Sequence, residues 1–142
     1  MFTNTKNVRS EISGKPATVS YGLVSPAVFG KTSLSLTENR VIESTKRIIA
    51  SRYCEIILSE VESVEICEGG YPLLLILGFV TLSLMGLGLI FFVLYFLIKC
   101  KYLIIRSQGN AQVVCISGTG SMERAREFMI DVLRCAEDAK QK

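Results

Sequence analysis

The sequence contains no histidine, the side chain that serves most often as a general base and as a metal ligand. A serine–histidine–aspartate triad is therefore excluded. The cysteines are odd in number and form no Cys-x-x-Cys pair, which favours neither a zinc site nor a disulfide framework; they are Cys54, Cys67, Cys100, Cys115 and Cys135. We interpret them as small packing residues in a reducing compartment. The sequence predicts no catalytic, cofactor-binding or metal-binding residues, and we do not expect an enzyme.

The sequence also lacks blocks of like charge. Residues 1–70 carry eight basic and eight acidic side chains, and residues 99–142 carry eight basic and five acidic, so the net charge of +3 arises after residue 98. This distribution does not favour nucleic-acid binding. Residues 1–30 have no apolar stretch long enough for a signal peptide, and none is expected. No pattern indicates a small-molecule substrate.

Residues Pro72 to Ile98 form a run of 27 residues without a charge. This run predicts an integral membrane protein, because about 20 apolar residues suffice to cross the hydrocarbon core. Two glycines, Gly86 and Gly88, weaken the helix and could divide the run into a hairpin. The arms would then have about 14 and 10 residues, or about 21 and 15 Å, and neither would span a core of about 30 Å.

Charge and domain completeness favour different topologies for this run. Lys99, Lys101 and Arg106 follow it and acidic residues precede it, which favours one crossing with a cytoplasmic C-terminal part. A single crossing would separate two β-rich pieces, each with uncovered strand edges. Joined on one side of the membrane, the pieces could bury a core. We favour the hairpin and keep the single crossing as the alternative.

The flanking segments carry signals for strands and one helix. Leu34 and Leu36 alternate with polar residues, so Lys31 to Lys46 is predicted to form a β-hairpin that turns at Glu38-Asn39. Further predicted elements are a β region from Ile48 to Leu58, a helical turn at 59–62, strands at 63–67, 102–106 and 111–117, and an amphipathic helix at 122–135. Loose structure is expected before about residue 20.

The order of these elements resembles that of bacterial PH-like domains. The segments Lys31 to Ile42 and Ile57 to Ile66 resemble the opening hairpin and the strand–turn–strand that follows it, and Lys101 to Arg106 and Met122 to Cys135 resemble the closing strand and helix. Some small prokaryotic members carry a hydrophobic helical hairpin between strands. The resemblance implies a partly open antiparallel barrel with a C-terminal capping helix and no known chemistry.

We therefore predict an α+β membrane protein in which a membrane helix or helical hairpin interrupts a PH-like sheet. The predicted division is a partly flexible arm at 1–30, the first part of the PH-like domain at 31–70, the membrane-inserted segment at 71–100, the second part at 101–136, and a frayed tail at 137–142. The expected location is a membrane, the inner membrane if the chain is bacterial, with the water-facing part in the cytoplasm.

Two sets of residues are candidates for contacts. Basic and aromatic residues at the ends of the run are predicted to contact lipid headgroups: Lys99, Lys101, Arg106, Tyr71, Tyr95 and Tyr102. Small residues are predicted to let helices pack closely: Gly78, Ser83, Gly86 and Gly88. The predicted function is a membrane-anchored, non-enzymatic assembly module or accessory subunit, with lipid, further copies of the chain or other membrane-protein subunits as partners. The alternatives are a pore-lining component and a peripheral module that binds lipid headgroups.

Overall fold

The computed structural model describes residues 7–21, 23–84 and 86–142. Its strands are β1 (Ser10–Ser20), β2 (Leu23–Pro26), β3 (Lys31–Leu36), β4 (Arg40–Lys46), β5 (Ser51–Ile57), β6 (Val61–Gly70), β7 (Lys99–Ser107) and β8 (Asn110–Ile116). Its α-helices are α1 (Pro72–Leu82), α2 (Gly88–Leu97) and α3 (Ser121–Gln141), and a 3₁₀ turn (Leu58–Glu60) joins β5 to β6. The strands form one curled antiparallel sheet in the order β5-β4-β3-β1-β8-β7-β6, and β2 pairs with β1 beside this path.

Alternation of apolar and polar residues accounts for the β3–β4 hairpin. Leu34, Leu36 and Val41 are fully buried, while the residues between them face outward. The Thr37 hydroxyl closes the turn, since it accepts a hydrogen bond from the Arg40 amide at 3.2 Å and donates one to the Arg40 carbonyl at 2.9 Å. A threonine can make both bonds because its hydroxyl is donor and acceptor at once.

The main core lies between the concave face of the sheet and α3. Ala125, Phe128 and Val132 recur on one face of α3 and are fully buried against the sheet and the 3₁₀ turn. The predicted frayed tail at 137–142 differs from the structure, in which α3 continues to Gln141. The Lys140 ammonium donates a 2.9 Å hydrogen bond to the Val61 carbonyl, and this contact ties the last turn to β6.

The N-terminal segment also differs from the prediction. Residues 10–20, expected to be largely loose, form β1, which pairs with β3, β8 and β2. Gly14 makes this position possible, because a Cβ atom there would overlap the carbonyl oxygen of Cys115. Residues 1–6 and residue 22 of the predicted arm lie outside the described residues, and β2 lies within the rest of it.

The predicted fold class of an α+β membrane protein is wrong. Within the apolar run, α1 ends at Leu82 and α2 begins at Gly88. These helices have 11 and 10 residues, or about 16 and 15 Å. Over residues 7–21, 23–84 and 86–142, no helix combines the length and apolar character that crossing a membrane requires. The structure is a curled antiparallel sheet with helices, and it does not support a transmembrane segment.

Candidate functional site

Helices α1 and α2 extend the β6–β7 hairpin beyond the sheet. Gly70, the last residue of β6, pairs with Lys99, the first residue of β7. Helix α1 begins two residues after Gly70, and α2 ends two residues before Lys99. The two helices pack mainly against each other. Proline occupies the first position of α1, where its missing amide hydrogen has no helical partner to lose. We call residues 72–97 the apolar hairpin.

Two glycines form the contact between the helices. Gly78 and Gly88 are the two residues of the described part of the apolar hairpin that are buried, and a Cβ atom at Gly88 would overlap the carbonyl oxygen of Gly78. Beside them the Phe79 and Phe92 rings meet edge to face, with centroids 5.2 Å apart. The other two predicted packing residues, Ser83 and Gly86, lie in the turn, where Gly86 has a φ of 79°.

The polar side chains of the apolar hairpin are satisfied within their own helix. The Thr81 hydroxyl donates to the Leu77 carbonyl at 2.6 Å, and the Ser83 hydroxyl donates to the Val80 carbonyl at 3.0 Å. Backbone carbonyls therefore occupy both hydroxyl donors. The run has no charged side chain, and its exposed or partly exposed polar side chains are Thr81, Ser83 and Tyr95.

Large apolar side chains are exposed along both helices and the turn of the apolar hairpin. In the segment 73–98 the exposed ones are Leu73, Ile76, Leu77, Phe79, Val80, Leu82, Leu84, Leu87, Leu89, Ile90, Val93, Phe96, Leu97 and Ile98. Monomeric soluble proteins rarely expose apolar patches of more than a few hundred Å². A continuous surface of this kind therefore marks a contact with another apolar phase or molecule.

A second, smaller core supports the foot of the apolar hairpin. Cys100, Tyr102 and Cys115 are buried on the face of β7 and β8 opposite α3, and Tyr71 and the β2 residue Val24 pack against them. Burial raises the pKa of the Cys115 thiol to about 12. A hydrogen bond with Cys100, together with burial, raises the pKa of Tyr71. These groups are therefore neutral near pH 7 and act as packing residues.

The predicted headgroup contacts do not lie together. Tyr71, Tyr95 and Lys99 are at the foot of the apolar hairpin, where a Cβ atom at Gly70 would lie 2.5 Å from the Tyr95 ring. Lys101 is nearby and lies 3.9 Å from a Glu68 carboxylate oxygen.

The other two predicted contacts are remote from a surface at the foot. Tyr102 is 1% exposed, and burial raises the pKa of its hydroxyl, so its side chain cannot reach a headgroup. Arg106 follows Lys99 by seven residues of β7, or about 23 Å, and pairs with Glu65 at 3.5 Å. The spacing along the sequence could not reveal this separation, because β7 runs away from the foot.

Sequence reasoning missed a second apolar surface, on two loops of the sheet. Val28 and Phe29 in the β2–β3 loop are about two-thirds exposed, and Ile48 and Ile49 in the β4–β5 loop are 80% and 97% exposed. The prediction of a single β region over 48–58 does not identify the turn at Ile48-Ile49. The signal that was available is the sequence Lys46-Arg47-Ile48-Ile49, two cations followed at once by two large apolar residues.

Comparison with known proteins yields no match to a family model, to a curated protein or to a solved structure. The resemblance to bacterial PH-like domains therefore stays a prediction. In the described part of the chain, no three cysteine, aspartate or glutamate side chains are grouped so that they could hold a metal ion.

Proposed function

We propose that this protein is a non-enzymatic module that attaches to a lipid surface by inserting the apolar hairpin into one leaflet, without crossing to the other side. The observation that carries the proposal is the exposure of large apolar side chains along both helices and the turn of the apolar hairpin. A protein partner covers one face of a helical pair and leaves the opposite face in water. Acyl chains surround an inserted segment and cover all of its faces at once.

The free energy available from this insertion is large. Fourteen large apolar side chains of the segment 73–98 are exposed. If covering each half-exposed side chain gains about 1 kcal/mol, the sum is on the order of 10 kcal/mol. This is comparable to the hydrophobic gain of a single myristoyl chain, about 0.8 kcal/mol for each buried methylene, which gives reversible attachment. The hairpin can therefore attach the sheet reversibly.

The length of the helices fits one leaflet. Helices of 11 and 10 residues are about 16 and 15 Å long, and half of a hydrocarbon core of about 30 Å is about 15 Å. The helical ladders pair the interior backbone groups of α1 and α2, and the Thr81 and Ser83 hydroxyls donate to backbone carbonyls, as a segment in lipid requires. This attachment to one side differs from the single crossing that was the alternative prediction, since no helix among the described residues is long enough to cross.

The foot of the apolar hairpin has the residues expected at a headgroup layer. Lys99 is exposed, and the Tyr71 and Tyr95 rings are partly exposed beside it. Cations and aromatic rings with a polar end favour the boundary between acyl chains and water. We include in this proposal that the domain carrying the apolar hairpin is PH-like, and the curled sheet covered by α3 is consistent with such a domain. A pore-lining role is not proposed, because the hydroxyls of the apolar hairpin are engaged by their own helices.

Flotation of the full chain with phosphatidylcholine vesicles tests the proposal. The wild type is expected to float with the vesicles. Val80→Lys combined with Val93→Lys places a charge on each helix at an exposed position, and binding should fall by more than roughly 100-fold, since a lysine in the hydrocarbon costs about 2.5 kcal/mol or more. Ile130→Lys, at an exposed apolar position of α3, is the matched control and should float as the wild type does.

Two results would overturn the proposal. The first is a wild type that stays at the bottom of the gradient. The second is an oligomer that buries the apolar hairpin in the absence of lipid. Sedimentation would then show a defined multimer for the wild type and monomers for the double lysine variant. That outcome would assign the hairpin to a second copy of the chain.

A further inference from the structure

We propose that the β2–β3 and β4–β5 loops form a second contact, with anionic lipid headgroups, and so orient the anchored sheet on the lipid surface. The contact surface consists of Val28, Phe29, Ile48 and Ile49 with the flanking cations Lys31, Lys46 and Arg47, and we call it the basic apolar tip. This inference rests on the proposed function, because the apolar hairpin supplies the attachment that the tip then orients.

The two loops lie side by side. Ile48 and Ile49 are the central residues of a turn that the Arg47 amide closes by donating to the Ala50 carbonyl at 2.8 Å. A Cβ atom at Gly30, the last residue of the neighbouring loop, would lie 2.8 Å from the Lys46 carbonyl oxygen and 3.4 Å from Cγ of Arg47. The exposed apolar side chains of both loops are thus presented from adjacent turns.

Ion pairing among the described residues does not account for the cations of the tip. Lys31 and Lys46 are direct cross-strand partners, an arrangement of like charges that destabilises a sheet. Among the described residues, no acidic side chain forms an ion pair with Lys31, Lys46 or Arg47. Residues 12–37 and 44–54 contain no aspartate or glutamate. The nearby acid is Glu11, which shares a shallow depression with the two lysines.

The tip includes the loop that follows β2, and β2 lies beside the foot of the apolar hairpin. Contacts connect the two regions through β2: Val24 packs in the small core with Tyr71, and the Ala27 amide donates to the Pro16 carbonyl at 2.8 Å.

Charge complementarity identifies the occupant as an anionic lipid surface. Each lysine or arginine at such a surface adds attraction that salt screens, and an apolar apex ringed by cations can enter the headgroup layer while the cations remain at the phosphates. Continuity with the lipid-inserting hairpin favours lipid over an acidic protein, which would have to bind beside the same surface.

The test compares vesicles of phosphatidylcholine alone with vesicles that also contain phosphatidylglycerol, using the full chain. The wild type should bind the anionic vesicles more tightly. Lys46→Gln with Arg47→Gln should lower binding to the anionic vesicles by roughly 30-fold and leave binding to phosphatidylcholine unchanged. Ile48→Ser with Ile49→Ser should weaken binding to the anionic vesicles. Arg126→Gln with Arg134→Gln removes two exposed cations of α3 and is the control. This variant should gain as much binding from phosphatidylglycerol as the wild type does.

The outcomes separate this inference from the proposed function. If the tip variants gain as much from phosphatidylglycerol as the wild type does, the tip is not a lipid contact and an acidic protein becomes the better partner. If the wild type binds only the anionic vesicles and the tip variants lose that binding, the tip is supported and the insertion of the apolar hairpin is overturned.

Discussion

Replacement of Gly88 by alanine tests how the apolar hairpin is built. The added methyl group would overlap the Gly78 carbonyl oxygen and lie 2.7 Å from the Leu82 amide nitrogen, and both neighbours are backbone atoms that cannot rotate away. The helices must separate, which weakens the edge-to-face contact of Phe79 with Phe92. Overpacking costs about 1–3 kcal/mol, and overlap with backbone atoms places this case in the upper part of that range, at about 2–3 kcal/mol. Replacing a helical glycine recovers about 1 kcal/mol.

The expected net loss is about 1–2 kcal/mol, and it should be local because α1 and α2 pack mainly against each other. Hydrogen exchange followed by mass spectrometry should show amides of 72–97 exchanging roughly 5–30-fold faster, with the sheet unchanged. Ile90→Ala removes an exposed side chain of the same helix and is the control for the helix contact. Unchanged exchange in the Gly88→Ala hairpin, or equal loss of protection throughout the sheet, would refute this account of the packing.

Three further predictions concern the folded domain. Phe128→Ala should lower the free energy of unfolding in urea by about 3–5 kcal/mol, because this ring is 1% exposed in the main core; a loss below about 1 kcal/mol would contradict that packing. Hydrogen bonds from Tyr53 and Arg40 lower the pKa of Glu55 below its usual 4.5, so their stabilisation is present above about pH 4.5 and is lost as pH falls through the lowered pKa. Glu55→Gln should reduce the loss of unfolding free energy at acid pH by less than about 1 kcal/mol, since the Arg40–Glu55 pair is exposed. An unchanged dependence of stability on pH would contradict this role of Glu55. Maleimide should label Cys115 only after unfolding, because burial raises the pKa of its thiol to about 12, and rapid labelling of the folded chain would contradict the small core.

Local sequence patterns predicted the elements whose stability is local. The period-two apolar residues of β3 and β4, with polar residues at the turn, identify a hairpin without reference to the rest of the chain. The helical spacing of Ala125, Phe128 and Val132 likewise identifies α3 and its buried face. The two glycines near residue 87 correctly indicated where the apolar run could break.

The features that sequence reasoning missed depend on tertiary contacts. Gly14 and Pro16 are loop signals in isolation, yet the close approach of Cys115 makes the glycine a requirement of a central strand. The apolar residues at the end of α3 are small, and their packing against the main core, as at Ala136 and Ala139, together with the bond from Lys140 to β6, holds this end against the domain. The basic apolar tip arises because the β3–β4 hairpin pairs Lys31 with Lys46 and so brings together the loops that precede and follow it. The hairpin predicted at Lys31 to Lys46 implies that proximity, but the predicted β region at 48–58 did not include the turn at Ile48-Ile49.

The central claim is tested most directly by the depth of the hairpin turn in lipid. The chain has no tryptophan, so Leu84→Trp introduces a single indole at the turn and Tyr95→Trp introduces one near the foot. With vesicles of brominated lipids, the indole at position 84 should be quenched best by bromine near the acyl-chain ends, and the indole at position 95 by bromine close to the headgroups. Soluble quencher trapped inside the vesicles should reach neither. Equal quenching of both indoles by shallow bromine, or quenching of the indole at position 84 from the vesicle interior, would contradict insertion into one leaflet.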